Sequence, residues 1–393
     1  MFRISQFMHD LARAEAAGAY PAAARRGAGG PLGPVVIWNL IRRCNLTCKH
    51  CYAFSADHDY PGELSLAQVF AVMDDLKSFK VPVLILSGGE PLLRPDIFEI
   101  AERAKAMKFY VGLSTNGTLI DQPLAERIHA AGFDYVGISL DGIGPTHDKF
   151  RRLQGAFDLS LAAVRRLQKL GTKVGLRFTM TELNAHDLPA LLQLMRAEDV
   201  DKFYFSHLNY AGRGNVHRGK DVRHAATRQA LDLLLDTAWA DAQSGSRREY
   251  VTGNNDADGI YLLHWVRQRL PRWTEDVRRR LVAWGGNSSG VNVANIDNIG
   301  DAHPDTMWWH HTLGNVKARP FSQIWQDTSD PLMAGLKAHP RPVKGRCAAC
   351  QHLSICGGNT RVRAQQTTGD AWAEDPGCYL TDGEIGLTAV DSE

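Results

Sequence analysis

Short apolar runs rich in β-branched residues recur along the first half of the chain, each followed by a stretch whose apolar positions repeat at helical spacing. The runs VVIWNLI (35–41), VPVLILSGG (81–89), FYVGLSTNG (109–117), YVGISLDG (135–142), KVGLRFTMT (173–181) and KFYFSHLN (202–209) predict six strands. After the first of them, SLAQVFAVMDDLKSF sets Leu66, Val69, Phe70, Met73 and Leu76 on one face, with Ser65 as N-cap and Gln68 three residues later. That is the pattern of a capped amphipathic helix. Further helical patterns lie near 95–107, 121–131, 158–170 and 186–197. Six β/α units in order predict an α/β fold with a parallel sheet and helices outside. Two units short of a closed eight-stranded barrel, the expected shape is an open, partial (β/α)6 TIM-like barrel with its site at the C-terminal ends of the strands.

The remaining chain divides the domains. Residues 1–34, Ala, Gly and Pro rich from 13 onward, are expected to form a flexible lead, followed by the barrel over 35–215. Helical patterns such as RHAATRQALDLLLDTAWADA predict a helical connection over 216–290, and 291–393 forms a smaller C-terminal domain. A net charge of +2 supplies no basic field for nucleic acid. No run reaches the roughly 20 apolar residues that cross a bilayer, and the N-terminus has no apolar signal core. The expectation is a cytoplasmic protein without membrane or nucleic-acid partners.

The seven cysteines fall into a group of three, Cys44, Cys48 and Cys51, and a group of four, Cys347, Cys350, Cys356 and Cys378. Grouping of this kind in a reducing compartment points to metal rather than disulfides. CxxxCxxC on the loop after the 35–41 strand can present three thiolates to a [4Fe-4S] cube and leave one iron open. A zinc site completed by His50 is the alternative on this stretch alone. Four thiolates in the second group suit structural zinc or a second [4Fe-4S] cluster, and spacing does not separate the two.

CNLTCKHC after the first barrel strand, with SGGEP (87–91) at the second, resembles the radical S-adenosylmethionine (SAM) superfamily. The resemblance implies that SAM's methionine moiety completes the open iron and that reductive cleavage yields a 5′-deoxyadenosyl radical. Cys44, Cys48 and Cys51 would then be the catalytic cluster ligands. Gly88, Gly89 and Glu90 would bind SAM, with Glu90 accepting from its ammonium; Thr115 and Asn116, Ser139 and Arg151 as holders of the carboxylate, and Leu208 against adenine would complete the contacts. CAACQHLSICGGNT resembles a SPASM extension that keeps three cysteines of the CX2CX5CX3C block and has Thr360 in the fourth place. A shortened SPASM domain with one auxiliary [4Fe-4S] cluster on Cys347, Cys350, Cys356 and Cys378 follows.

Longer segments, among them NYAGRGN, TGNNDADG and NVANIDNIGDAHPDTMWWHH, are similar to radical SAM enzymes of haem d1 biosynthesis. That likeness implies an iron tetrapyrrole substrate, 12,18-didecarboxysirohaem, losing two propionate side chains, and a low-potential electron donor such as flavodoxin or ferredoxin. Arg177, His207, Arg213, Trp308 to His311 and His303 are the candidates for tetrapyrrole contacts. The alternatives are a relative acting on another iron porphyrin in haem synthesis, a peptide-modifying SPASM maturase, and a non-catalytic iron–sulfur carrier.

Overall fold

The computed structural model describes residues 1–21 and 32–387. All six expected strands form. In chain order the strands are β1 (Phe2–Arg3), β2 (Val35–Ile41), β3 (Val83–Gly88), β4 (Tyr110–Thr115), β5 (Tyr135–Ser139), β6 (Val174–Met180), β7 (Lys202–His207), β8 (Glu249–Gly253), β9 (Val293–Ile296), β10 (Asp301–His303) and β11 (Gly314–Asn315). They make one sheet in the order β1-β8-β7-β6-β5-β4-β3-β2-β9-β10-β11, whose end strands are different, so the sheet is open. From β9 through β2 to β8 every pairing is parallel.

Alternation along each strand builds two environments. Val36, Trp38, Leu84, Leu86, Val111, Val136, Leu176, Phe178, Phe203 and Phe205 point outward under the helices, each 1% exposed or less. The opposite face carries polar or small groups, among them Asn39, Ser87, Gly137, Ser139, Arg177 and Tyr204, and lines the interior of the half-barrel. The helix Leu66–Ser78 begins with the expected capping box between Ser65 and Gln68 and buries Val69, Val72, Met73 and Leu76.

Two domain boundaries need correction. Residues 1–34 are not a loose lead throughout: β1 pairs antiparallel with β8, and the helix Ile4–Ala17 buries Ile4, Phe7, Met8, Leu11 and Ala14. The period of that apolar face was present in the sequence; the flexible reading extended the Ala/Gly composition of 13–34 backward over it. Residues 22–31 lie outside the described residues. Nor is 216–290 purely helical or 291 a clean border, because β8 and β9 add to the free edges of β7 and β2. A bare parallel edge leaves backbone donors and acceptors unpaired, and short flanking strands are the remedy. Met8 is fully buried, so Met8→Ala is expected to destabilise the fold by about 2–5 kcal/mol, read as a lower urea midpoint.

Candidate functional site

The loop leaving β2 at Ile41 holds the first cysteine group at the C-terminal rim of the half-barrel. Cys44 and Cys48 are buried around Leu46, with Cys51 and Leu153 packed alongside. Burial pushes the thiols of Cys44 and Cys48 up. The loop's backbone is gripped from two sides. Gly89 N donates to Ile41 O at 2.6 Å and Glu90 N to Arg43 O at 2.9 Å. A β-carbon on Gly89 would stand 2.2 Å from Arg43 O, and one on Gly88 2.3 Å from Ile41 O. The close approach these glycines permit is therefore toward the cysteine loop itself. Opposite, Arg213 donates through Nε to Cys48 O at 2.7 Å and through Nη2 to Ser55 O at 2.9 Å. Gly212, at φ +52, leaves room for the carbonyls of Cys51 and Tyr52. Arg213 is thus a clamp on the loop rather than an open tetrapyrrole contact.

Behind the loop, Glu90 is wholly buried and accepts from Thr115 Oγ1 at 2.7 Å, Asn116 N at 2.8 Å and Leu92 N at 3.2 Å. Burial pushes its carboxyl up to about 7 despite these donors. Asn116 Nδ2 donates to Asn45 Oδ1 at 2.9 Å and lies 3.9 Å from Cys44 Sγ. The structure therefore gathers Glu90, Thr115, Asn116 and Cys44. Leu208 is buried just past β7, and Ser139 ends β5 half-buried, in register with Arg177.

Arg151 stands at the rim with Nη1 3.6 Å from Cys48 Sγ, and it is already paired with Asp141. Asp141 was missed in the sequence, although it sits inside SLDG two residues past Ser139. Burial alone would raise it, yet the Arg151 guanidinium and the His50 ring hold it below the usual carboxylate range. Its Oδ1 accepts from Thr179 N at 2.7 Å, and its own N–H donates to His147 Nδ1 at 2.9 Å. His50 stacks on Phe150 at 4.7 Å and lies 3.8 Å from Asp141. Burial lowers it to about 4, which leaves the ring neutral at neutral pH.

The second cysteine group forms a separate cluster of sulfur neighbours. Arg346 Nη1 lies 3.3 Å from Cys378 Sγ, His352 N 3.3 Å from Cys350 Sγ, and Arg361 Nη2 4.0 Å from Cys347 Sγ. Asn287 N donates to Cys356 O at 3.0 Å, and a β-carbon on Gly286 would meet the Cys356 backbone at 2.2 Å. Thr360 donates to Asn254 O at 3.2 Å, and Asn359 bonds to Asn255 Oδ1 and Asp256 N, so this stretch docks on the loop after β8. Among the described residues, no three His, Cys, Asp or Glu groups are drawn to the spacing of a single metal ion.

Most of the tetrapyrrole candidates turn out to be engaged structurally. His207 Nε2 is 3.0 Å from Asp258, which also accepts from Tyr379 Oη at 2.7 Å, tying the barrel to the C-terminal region. Trp308 is buried with Leu332, Leu336, Val362 and Ala371, and His311 bonds to Asp330 at 2.9 Å. Trp309 meets Tyr52 edge-on at 6.2 Å, and His310 is exposed beside Gln366. His303 is 1% exposed, with Nδ1 2.8 Å from His311 O.

Residues 38–195 match the model of the Radical SAM superfamily. The chain is 55% identical over its full length to a pre-heme d1 synthase of Dinoroseobacter shibae, of which it covers 95%. The chain belongs to the radical SAM superfamily. An Fe-coproporphyrin III synthase of Methanosarcina barkeri is 45% identical over 90% of the chain and 89% of its own length. Among solved structures, Streptococcus suis SuiB bound to S-adenosylmethionine superposes with a TM-score of 0.69 at 17% identity, covering 89% of this chain and 78% of that one. At that identity the likeness shows the radical SAM fold with its partial barrel. Membership implies use of SAM and a [4Fe-4S] cluster. No described helix is long and apolar enough to cross a membrane.

Proposed function

We propose that the chain is the radical SAM enzyme of haem d1 biosynthesis that removes two propionate side chains from 12,18-didecarboxysirohaem. The observation that carries this reading is the 55% identity to a pre-heme d1 synthase along the entire chain. Cys44, Cys48 and Cys51 are the proposed ligands of the first cluster: three thiols on one loop beneath a clamped backbone, with no fourth cysteine near, fit a cube that leaves one iron for SAM. When bound, cluster and SAM supply the 5′-deoxyadenosyl radical that takes a hydrogen atom from the side chain.

The chain's own residues set the stage. Glu90, oriented by Thr115 and Asn116, is proposed to accept SAM's ammonium, with Gly88 and Gly89 holding the cysteine loop at the right height. Arg151 and Ser139 are the proposed carboxylate holders, with Asp141 orienting the guanidinium, and Leu208 is proposed to pack on adenine. Cys347, Cys350, Cys356 and Cys378 are proposed to enclose a second [4Fe-4S] cluster; donors from Arg346, Arg361 and the His352 backbone toward sulfur suit a charged thiolate set. Flavodoxin or ferredoxin is the proposed electron donor.

Anaerobic incubation with SAM, dithionite and 12,18-didecarboxysirohaem, read by mass spectrometry, tests the assignment. Loss of two propionates with formation of 5′-deoxyadenosine is expected. Turnover of iron-coproporphyrin or its precursor alone would replace it.

Glu90 also yields a pH dependence. Without SAM its carboxyl is protonated below about 7, whereas an ammonium partner favours the carboxylate. SAM affinity is therefore expected to rise with pH, approaching about tenfold per unit below 7, and to turn over toward about pH 8, where SAM's own α-ammonium loses its proton. Equilibrium binding from pH 5.5 to 8.5 checks this, and Glu90→Gln should flatten the profile and weaken binding roughly tenfold.

A further inference from the structure

A cation on the interior face of the half-barrel has no ion-pair partner among the described residues. Arg177, fourth residue of β6, points into the interior beside Ser139 and is only half-buried. Among the described residues it makes no ion pair and donates no hydrogen bond to protein. Arg151 by contrast pairs with Asp141, Lys173 and Lys202 pair with Glu249, and Arg213 donates to two carbonyls. Its guanidinium instead lies 4.9 Å over the Tyr204 ring, a contact that orients the charge without neutralising it.

The surroundings are shaped for this side chain. Gly137, across on β5, would place a β-carbon 2.9 Å from Arg177 Cδ. Gly175 and Gly253 likewise leave space for Tyr135 and Tyr204, whose hydroxyls would stand 2.4 and 2.2 Å from β-carbons there. Three glycines on three strands thus make room for Tyr135, Tyr204 and the unpaired guanidinium beside them. A half-buried planar fork with free donors favours a carboxylate, which it grips bidentately.

Carboxylates from two sources enter this barrel under the proposed function, SAM and the substrate. SAM's amino-acid end belongs near the residues that reach cysteine sulfur, Asn116 and Arg151. Arg177 reaches none. Resting on the proposed function, we infer that Arg177 is the substrate anchor of the barrel interior, binding a propionate carboxylate of the iron tetrapyrrole and thereby positioning that side chain.

The test uses the anaerobically reconstituted holoenzyme with SAM and follows the absorption of 12,18-didecarboxysirohaem or its methyl ester during titration. For the free acid, Arg177→Ala should weaken binding tenfold or more and Arg177→Lys should recover part of the loss, while the ester binds wild type and Arg177→Ala alike. Cluster content and SAM affinity, measured in parallel, should match wild type. Gly137→Ala, which displaces the arginine without removing it, should weaken acid binding while sparing the ester. A parallel loss of SAM affinity in Arg177→Ala overturns the inference in favour of a SAM contact. Undiminished preference for acid over ester in Arg177→Ala also overturns it, with the proposed function intact. Failure of the wild type to bind the tetrapyrrole at all would sink both.

Discussion

Cys48→Ala is expected to abolish formation of 5′-deoxyadenosine while the second cluster proposed on Cys347, Cys350, Cys356 and Cys378 stays in place. Cys48 is 6% exposed, shares its pocket with Cys44 and Leu46, and is the sulfur that Arg151 approaches. Removing one of three proposed ligands leaves a cube with two, and the loop offers no replacement: His50 is stacked on Phe150 and faces Asp141. Iron should fall from roughly eight to roughly four per chain, measured on anaerobically reconstituted protein with the absorption of the remaining cluster intact. Retained deoxyadenosine formation would remove Cys48 from the ligand set. Cys350→Ala is the complement, expected to spare some SAM cleavage while depressing tetrapyrrole conversion much more.

Asp375→Ala is expected to cost about 3–5 kcal/mol of stability. Arg363 and Asp375 are 1% and 0% exposed at the side chain, joined by Nε to Oδ1 at 2.9 Å and Nη2 to Oδ2 at 2.7 Å. Arg363 also donates to Asn254 O, and Asp375 caps the turn by accepting from Gly377 N at 2.9 Å. Deleting the carboxylate strands a buried guanidinium and loosens the turn that ends in Cys378. Burial opposes its ionisation, yet Arg363 holds Asp375 below the usual carboxylate range. The sign follows: its contribution is complete above about pH 4, the ordinary aspartate value, and is lost as pH falls through the lower folded value. Urea unfolding at pH 7, compared with Asp375→Asn, measures the effect; a change below 1 kcal/mol would refute it.

Where local pattern and burial agree, the fold was legible: the six barrel strands, the Ser65 cap and the stripe of Val69, Met73 and Leu76 all form as periodicity requires. β8 escaped because its five residues lie in a stretch that reads as helical on either side and owe their conformation to β7, already in the sheet, which no window reveals. The site divides the same way. Spacing picked out the cysteines and the resemblance of SGGEP picked out Glu90, whereas Asp141 matters only because folding brings Arg151 and His50 to it. The resemblance assigns Gly88 and Gly89 to SAM, but the surface they approach is the cysteine loop, reached across a strand pairing. Arg213 and His207 carried the residue type of a ligand contact, and their partners, Cys48 O and Asp258, are 165 and 51 positions away.

β2 has β3 on one side and β9 on the other, with Val35 to Trp38 matched against Val293 to Ile296. The strand that leads into the cysteine loop is therefore flanked by residues made more than 250 positions later on the ribosome. Loop closure over such a span is slow and comes late. The strand that carries the cysteine loop therefore gains its second neighbour only when about three-quarters of the chain has been made, and a chain truncated before Val293 is expected to hold that loop less firmly.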